Sequence, residues 1–112
     1  MKKIYLTTPL YYVNDKPHIG HAYTTILADV ISRYNKLSGK NVYFLTGTDE
    51  HGQKVQEAAL KLNTTPQDHV DKFHKNYLDL WSRLNINFDK FIRTTDEHHV
   101  NKVKKVLQTL WD

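Results

Sequence analysis

Two histidines three positions apart, with a glycine between them, head a long helical pattern at His18-Ile19-Gly20-His21. A helix N-terminus offers unpaired N–H groups and partial positive charge, which suit a phosphate. Imidazoles there can donate to phosphate oxygens, and Gly20, lacking a Cβ, lets a phosphate or flat ring approach the backbone. The same residues also read as a histidine-rich turn or as metal ligands. A metal wants ligands that face one another and a third donor, and none is evident, so no metal site is expected. Asp49 is the second candidate: its carboxylate could hold an ammonium group by a charge-assisted hydrogen bond, or cap a helical segment beginning at Gln53. The third is Pro9-Leu10-Tyr11-Tyr12, where a leucine and adjacent tyrosines leaving a strand could wall an apolar pocket with a polar rim. His69, His74, His98 and His99 have no spacing that makes a metal box and read as surface or helix-face residues.

These groups must be held by the elements around them. Ile4 to Thr8 is a short β-branched and aromatic run stopped by Pro9, which reads as a strand, and residues 9–18 read as an extended loop. From Ile19 the period changes: Ala22, Ile26, Val30, Tyr34 and Leu37 form one helical stripe, with Gly39 where a helix-ending glycine belongs. Val42-Tyr43-Phe44-Leu45-Thr46 is continuously apolar, as in a parallel strand with helices on both faces of its sheet. The glycines of Gly47-Thr48-Asp49-Glu50-His51-Gly52 bracket a loop, and a short helix follows to about Leu62. Thr65-Pro66 opens a helix whose stripe is Val70, Phe73, Tyr77, Trp81 and Leu84. A weaker strand lies around Phe91-Ile92, and a last helix presents Val100, Val103, Leu107 and Leu110.

The expected order is β-α-β-α-α-β-α, half of a doubly wound parallel α/β sheet. Open sheets of this kind bind ligands beyond the carboxyl ends of their strands, where both His18-Ile19-Gly20-His21 and Asp49 fall. The tetrapeptide Thr-Asp-Glu-His occurs at 48–51 and again at 95–98, but the flanking residues differ and it is not an internal repeat. At 95–97 it reads as a helix start, with carboxylates near the positive end of the dipole.

Composition narrows the class. Hydrophobic residues make up 39% and charged residues 25%, which is ordinary for a globular domain. The net charge of +4 is spread over the chain without a basic block, so it argues only weakly for a nucleic-acid partner. With no cysteine there is no disulfide and no thiolate metal site, and no apolar run approaches the roughly 20 residues of a membrane helix. A reducing, cytoplasmic setting is the default, with no membrane partner.

Thr7-Thr8-Pro9-Leu10-Tyr11-Tyr12-Val13-Asn14, leading to Pro17-His18-Ile19-Gly20-His21-Ala22-Tyr23, resembles the signature of class I aminoacyl-tRNA synthetases, in its methionyl-tRNA synthetase version. Phe44-Leu45-Thr46-Gly47-Thr48-Asp49-Glu50-His51-Gly52 resembles the second block of that family, and Phe91-Ile92-Arg93-Thr94-Thr95 a third. The similarity covers essentially the whole chain. It implies a Rossmann-like fold, ATP-dependent activation of L-methionine to methionyl-adenylate, and transfer to tRNA(Met). By the resemblance, His18, Ile19, Gly20 and His21 bind ATP, with His18 and His21 on its phosphates. Asp49 takes the amino group of methionine, and Leu10 and Tyr12 line the pocket for its side chain. Mg²⁺ accompanies ATP as part of the substrate complex.

The family's second, lysine-rich signature Lys-Met-Ser-Lys-Ser has no counterpart here, nor have the connective domain, where any zinc would sit, and the helical anticodon-binding domain. Residues 1–112 are therefore expected to be the N-terminal half of the catalytic domain, inactive or nearly so without the remainder of the synthetase chain. Two alternatives stand beside this: another class I synthetase for an apolar amino acid, or a non-catalytic truncated paralogue that binds ATP, tRNA or a synthetase.

Overall fold

In the computed structural model, which describes residues 2–112, strands β1 (Lys3–Thr7), β2 (Tyr11–Tyr12), β3 (Asn41–Asp49) and β4 (Lys90–Arg93) alternate with helices α1 (Ile19–Leu37), α2 (Gln53–Lys61), α3 (Pro66–Arg83) and α4 (Glu97–Trp111). The expected order is present, with the two-residue β2 added inside the segment read as loop. All pairings are parallel and all run through β3, which meets β1 at residues 41–45, β4 at 45–48 and β2 at 48–49. Leu45 pairs with both Thr7 and Lys90, and Thr48 with both Tyr11 and Arg93, so β1 and β2 share one edge of β3 and β4 takes the other.

Along the shared edge the chain bulges. Four steps separate Thr7 from Tyr11, but their partners Leu45 and Thr48 are three apart. The extra residue falls at Pro9-Leu10, where proline has no N–H to give the ladder. Alternation therefore changes phase: Thr8 is buried before the bulge, and Tyr11 and Val13 after it. Thr8 meets Thr46 through their hydroxyls at 2.6 Å, and Tyr11 lies opposite Thr48.

β3 runs three residues beyond the apolar run, through Gly47 to Asp49. Gly47 is not a turn glycine. A methyl there would overlap the carbonyl oxygen of Ile92 and lie 2.7 Å from its Cγ2, so the missing side chain is what lets β4 lie against β3.

One face of β3, with Val42, Phe44, Thr46 and Thr48, is buried. The core there joins Tyr11 and Val13 to Val55 of α2 and to Val70, Tyr77 and Trp81 of α3. The Tyr11 ring lies 6.1 Å from Tyr77 and 6.0 Å from Trp81, and its hydroxyl meets Thr25 of α1 at 2.8 Å. The stripe expected on α3 is the face that packs. Coverage of both faces of β3 is not found: Tyr43 is 48% exposed and stacks only loosely on Tyr5, 6.0 Å away. The shape agrees. The shortest extent is 17 Å, and the radius of gyration is 16.0 Å, against roughly 13 Å for a compact domain of this length.

Helix α1 departs furthest from its periodicity. Ile26, Val30, Tyr34 and Leu37 point to solvent, and the buried residues are Thr25, Ala28, Asp29 and Ser32. Small side chains let the helix lie close to the sheet, and the buried carboxylate has partners: Asp29 accepts from Asn87 N at 2.8 Å and Arg33 Nε at 2.6 Å. On α4 the residues Val103, Leu107 and Leu110 are likewise exposed. His69 and His74 are buried rather than superficial. His69 Nε2 donates to Val13 O at 2.8 Å, and His74 Nδ1 to Val70 O at 3.0 Å.

The clash at Gly47 gives a direct test. Gly47→Ala is expected to destabilise the chain by about 1–3 kcal/mol, read as a lowered midpoint in urea unfolding. An unchanged midpoint would mean that β4 does not close on β3 as described.

Candidate functional site

His18 is the N-cap of α1 in extended conformation, and the two histidines cap the helix reciprocally. The Gly20 N–H donates to His18 Nδ1 at 3.0 Å, and the His18 N–H donates to His21 Nδ1 at 3.0 Å. The cap explains Gly20: a Cβ there would lie 2.9 Å from Cε1 of His18. The space is filled by the His18 ring itself. Because both Nδ1 atoms accept, neutral rings must carry their protons on Nε2, so both Nε2–H groups are left as donors. The rings lie 3.9 Å apart, and His21 also sits edge-on to Tyr11 and Tyr77. Partial burial, with the neighbouring His18 as the lesser cause, holds the imidazolium form of His21 down, below the ordinary imidazole value of 6.5.

Above this turn the segment 9–18 is pinned by Tyr77, whose hydroxyl donates to Tyr12 O at 3.0 Å and faces Asp15 O at 3.4 Å. Burial, reinforced by Asp15 and Tyr11, pushes the phenol up to about 12, so it stays a neutral donor. Leu10, Tyr12, His18, His21 and Tyr77 line an open cleft of about 430 Å³. Tyr12 is also a wall of a second cleft, of about 620 Å³, whose other walls include Asp49, His51 and Glu57. The sequence candidates thus come together on either side of one ring. Ile19 and Gly20 belong to the helix turn and line neither cleft, and Ile19 is largely in solvent.

Asp49 ends β3 opposite Tyr12. It does not cap α2: the N-cap there is Gly52, with φ +113° and no side-chain cap. Among the described residues the carboxylate of Asp49 accepts no hydrogen bond and makes no ion pair. The carboxylate next to it differs in every respect. Glu50 is buried, accepting from Arg93 Nε at 2.9 Å on each oxygen, from Thr48 Oγ1 at 2.6 Å and from Thr95 Oγ1 at 2.7 Å. Arg93 reaches on to Asp71 of α3 at 2.6 Å, and the bond from Arg93 holds the Asp71 carboxyl below its usual range. Sequence reasoning missed Glu50, Arg93 and Asp71. The available signals were the second and third blocks that hold Glu50 and Arg93, and the twice-occurring Thr-Asp-Glu-His, whose two copies meet where Thr95 donates to Glu50.

A parallel sheet with a long helix packed after its first strand and a carboxylate at the carboxyl end of its central strand defines an α/β fold of the open-sheet class. Comparison with known proteins narrows this. The family model described as tRNA synthetases class I (M) matches residues 4–112, and the chain belongs to that family. It is 54% identical over its full length to the methionine–tRNA ligase of Mycoplasma pneumoniae and 50% identical over 99% of it to methionine–tRNA ligase 1 of Bacillus cereus. It spans 22% and 17% of those proteins, about a fifth of their length. The Mycobacterium tuberculosis methionyl-tRNA synthetase in complex with methionyl-adenylate superposes with TM-score 0.87 and 44% identity, covering 88% of this chain and 19% of that one.

The cap makes α1 sensitive to pH. The depressed value of His21 means that the unfolded chain binds more protons than the folded one as pH falls below about 6.5. The stability contributed by the neutral ring is complete above that pH and is lost as pH falls through the folded value. In an NMR titration, His21 is expected to titrate below 6.5, with loss of amide protection at Ala22 in the same range. A midpoint at or above 6.5 would contradict the capping geometry.

Proposed function

We propose that this chain is the N-terminal half of the catalytic domain of a methionine–tRNA ligase, supplying one side of the site that makes methionyl-adenylate from ATP and L-methionine before transfer to tRNA(Met). The observation that carries the reading is the unpaired carboxylate of Asp49 beside the Tyr12-lined cleft, in a chain whose buried carboxylates are all partnered. A primary ammonium brings three donors and a positive charge to such a group. Leu10 and Tyr12 would border the thioether side chain. His18 and His21 would donate through Nε2 to the ATP phosphates at the positive end of α1, with Ile19 and Gly20 forming the turn under the nucleotide.

The chemistry asks little else of these residues. The methionine carboxylate is already a nucleophile and attacks the α-phosphorus in line, and pyrophosphate leaves, so no general base is needed. Catalysis is then orientation plus stabilisation of charge on the phosphate oxygens. Mg²⁺ would arrive on ATP as part of the substrate. Zinc, if the full protein holds it, belongs to the connective domain beyond these residues. tRNA(Met) would be met by regions outside them as well, and charging would take place in the cytoplasm. No described helix is long and apolar enough to cross a membrane. The exposed stripe of α1 and the open face at Tyr5 and Tyr43 support a fold completed by the rest of the synthetase chain.

The test is methionine-dependent ATP–pyrophosphate exchange in the full-length ligase carrying this sequence. Asp49→Asn is expected to remove methionine activation. His21→Ala is expected to lower kcat by about 10²–10³, the cost of one oxyanion-type donor. Wild-type exchange in Asp49→Asn would overturn the assignment. A full-length wild-type protein without exchange would favour a non-catalytic nucleotide-binding role.

A further inference from the structure

The segment Thr48-Asp49-Glu50-His51-Gly52 is fixed at every residue except the side chain of Asp49. Thr48 O accepts from Thr94 N at 3.3 Å, and its hydroxyl donates to Glu50. The Asp49 carbonyl accepts from Val13 N at 3.4 Å. Glu50 N donates to Thr94 Oγ1 at 2.9 Å, and His51 Nε2 donates to Thr94 O at 3.3 Å. Beyond them Gly52 takes φ +113°, a conformation that few side chains permit. The Glu50 side chain is the hub: fully buried, it ties β3 to β4 and the turn into α4 through Arg93 and Thr95, and through Arg93 to Asp71 on α3.

Extended backbone sends successive side chains to opposite faces. Drawing the Glu50 carboxylate inward onto Arg93 therefore presents the Asp49 carboxylate to the opposite side, toward the clefts it lines. We propose that Glu50, held by Arg93 and Thr95, is a positioning residue for amino-acid binding: it orients Asp49 toward the ammonium group without touching the substrate. This rests on the role of Asp49 proposed above. A frame that only maintained the fold would reduce the amount of active enzyme. A frame that aims one carboxylate acts selectively on the substrate which that carboxylate holds.

The experiment is again exchange in the full-length ligase, with active sites titrated and KM measured separately for methionine and ATP. Glu50→Gln keeps the shape and removes the charge that grips Arg93. It is expected to raise KM for methionine at least about tenfold, since misplacement of a binding group by an ångström costs up to about a hundredfold, and to leave KM for ATP within about twofold. Thr95→Val removes one donor to Glu50 and is expected to raise KM for methionine by a smaller factor, whereas Thr95→Ser, which keeps the hydroxyl, is expected to restore the wild-type value. If Glu50→Gln does not fold, the Thr95 pair decides by the same criterion. A KM for methionine within about twofold of wild type in folded Glu50→Gln and Thr95→Val, while Asp49→Asn loses methionine-dependent exchange, would overturn the positioning role alone. No change in Asp49→Asn either would overturn the reading of Asp49 on which it rests.

Discussion

Two consecutive acids at the carboxyl end of β3 can be given different tasks because an extended chain cannot turn both to the same side. Glu50 goes inward, where a carboxylate without partners would be costly. There it meets a guanidinium and two hydroxyls, so its charge is compensated by short hydrogen bonds. Asp49 is left on the other side, where its side chain has no partner among the described residues. The rest of the sheet serves this division. β4 delivers Arg93 opposite Thr48, Gly47 lets β4 come near enough to do so, and α3 supplies Asp71 as the second anion for Arg93. A buried ion pair of this sort adds little net stability, but removing one partner is expensive. Its value here lies in direction.

The first turn of α1 follows a similar economy. Most helices are capped by serine, threonine, aspartate or asparagine, whose side chains have no further use once the cap is made. Imidazole has two nitrogens. Those of His18 and His21 divide so that Nδ1 closes the helix and Nε2–H remains available. The cap therefore selects the tautomer that can donate to an anion, and the histidines are oriented before any ligand is present. Lysine could supply charge at this position but could not accept the helix N–H groups.

Much of this was legible in the residues. The glycine between two histidines marked the head of α1, Thr65-Pro66 marked the start of α3, and the stripe on α3 was the packed one. The failures have physical causes. Gly47 looked like a turn because glycine is usually read through its backbone freedom, whereas here it matters as an absent volume against Ile92. Ending the strand early hid the alternation that separates Asp49 from Glu50. On α1 the apolar period was real, but Thr25, Ala28, Asp29 and Ser32 took the sheet side, since close approach, with partners for Thr25 and Asp29, outweighed hydrophobicity there. His69 and His74 could be buried because each donates to a main-chain carbonyl, one of them 56 residues away in sequence.

The bulge at Pro9-Leu10 gives the stretch between β1 and β2 one residue more than the ladder needs. Surface connections ordinarily tolerate a residue more or less. This one can lose a residue without changing faces, because Thr8 and Tyr11 are three steps apart while Thr46 and Thr48 beside them are two apart, the interval at which an unbroken strand returns to the same face. Deleting one residue between them would therefore close the ladder and keep Tyr11 inward and Tyr12 outward. What would change is the stretch that carries Leu10 to the wall of the cleft shared with His18 and His21. The extra residue therefore bears on the cleft wall at Leu10, while the pleat of the ladder alone decides which tyrosine is buried.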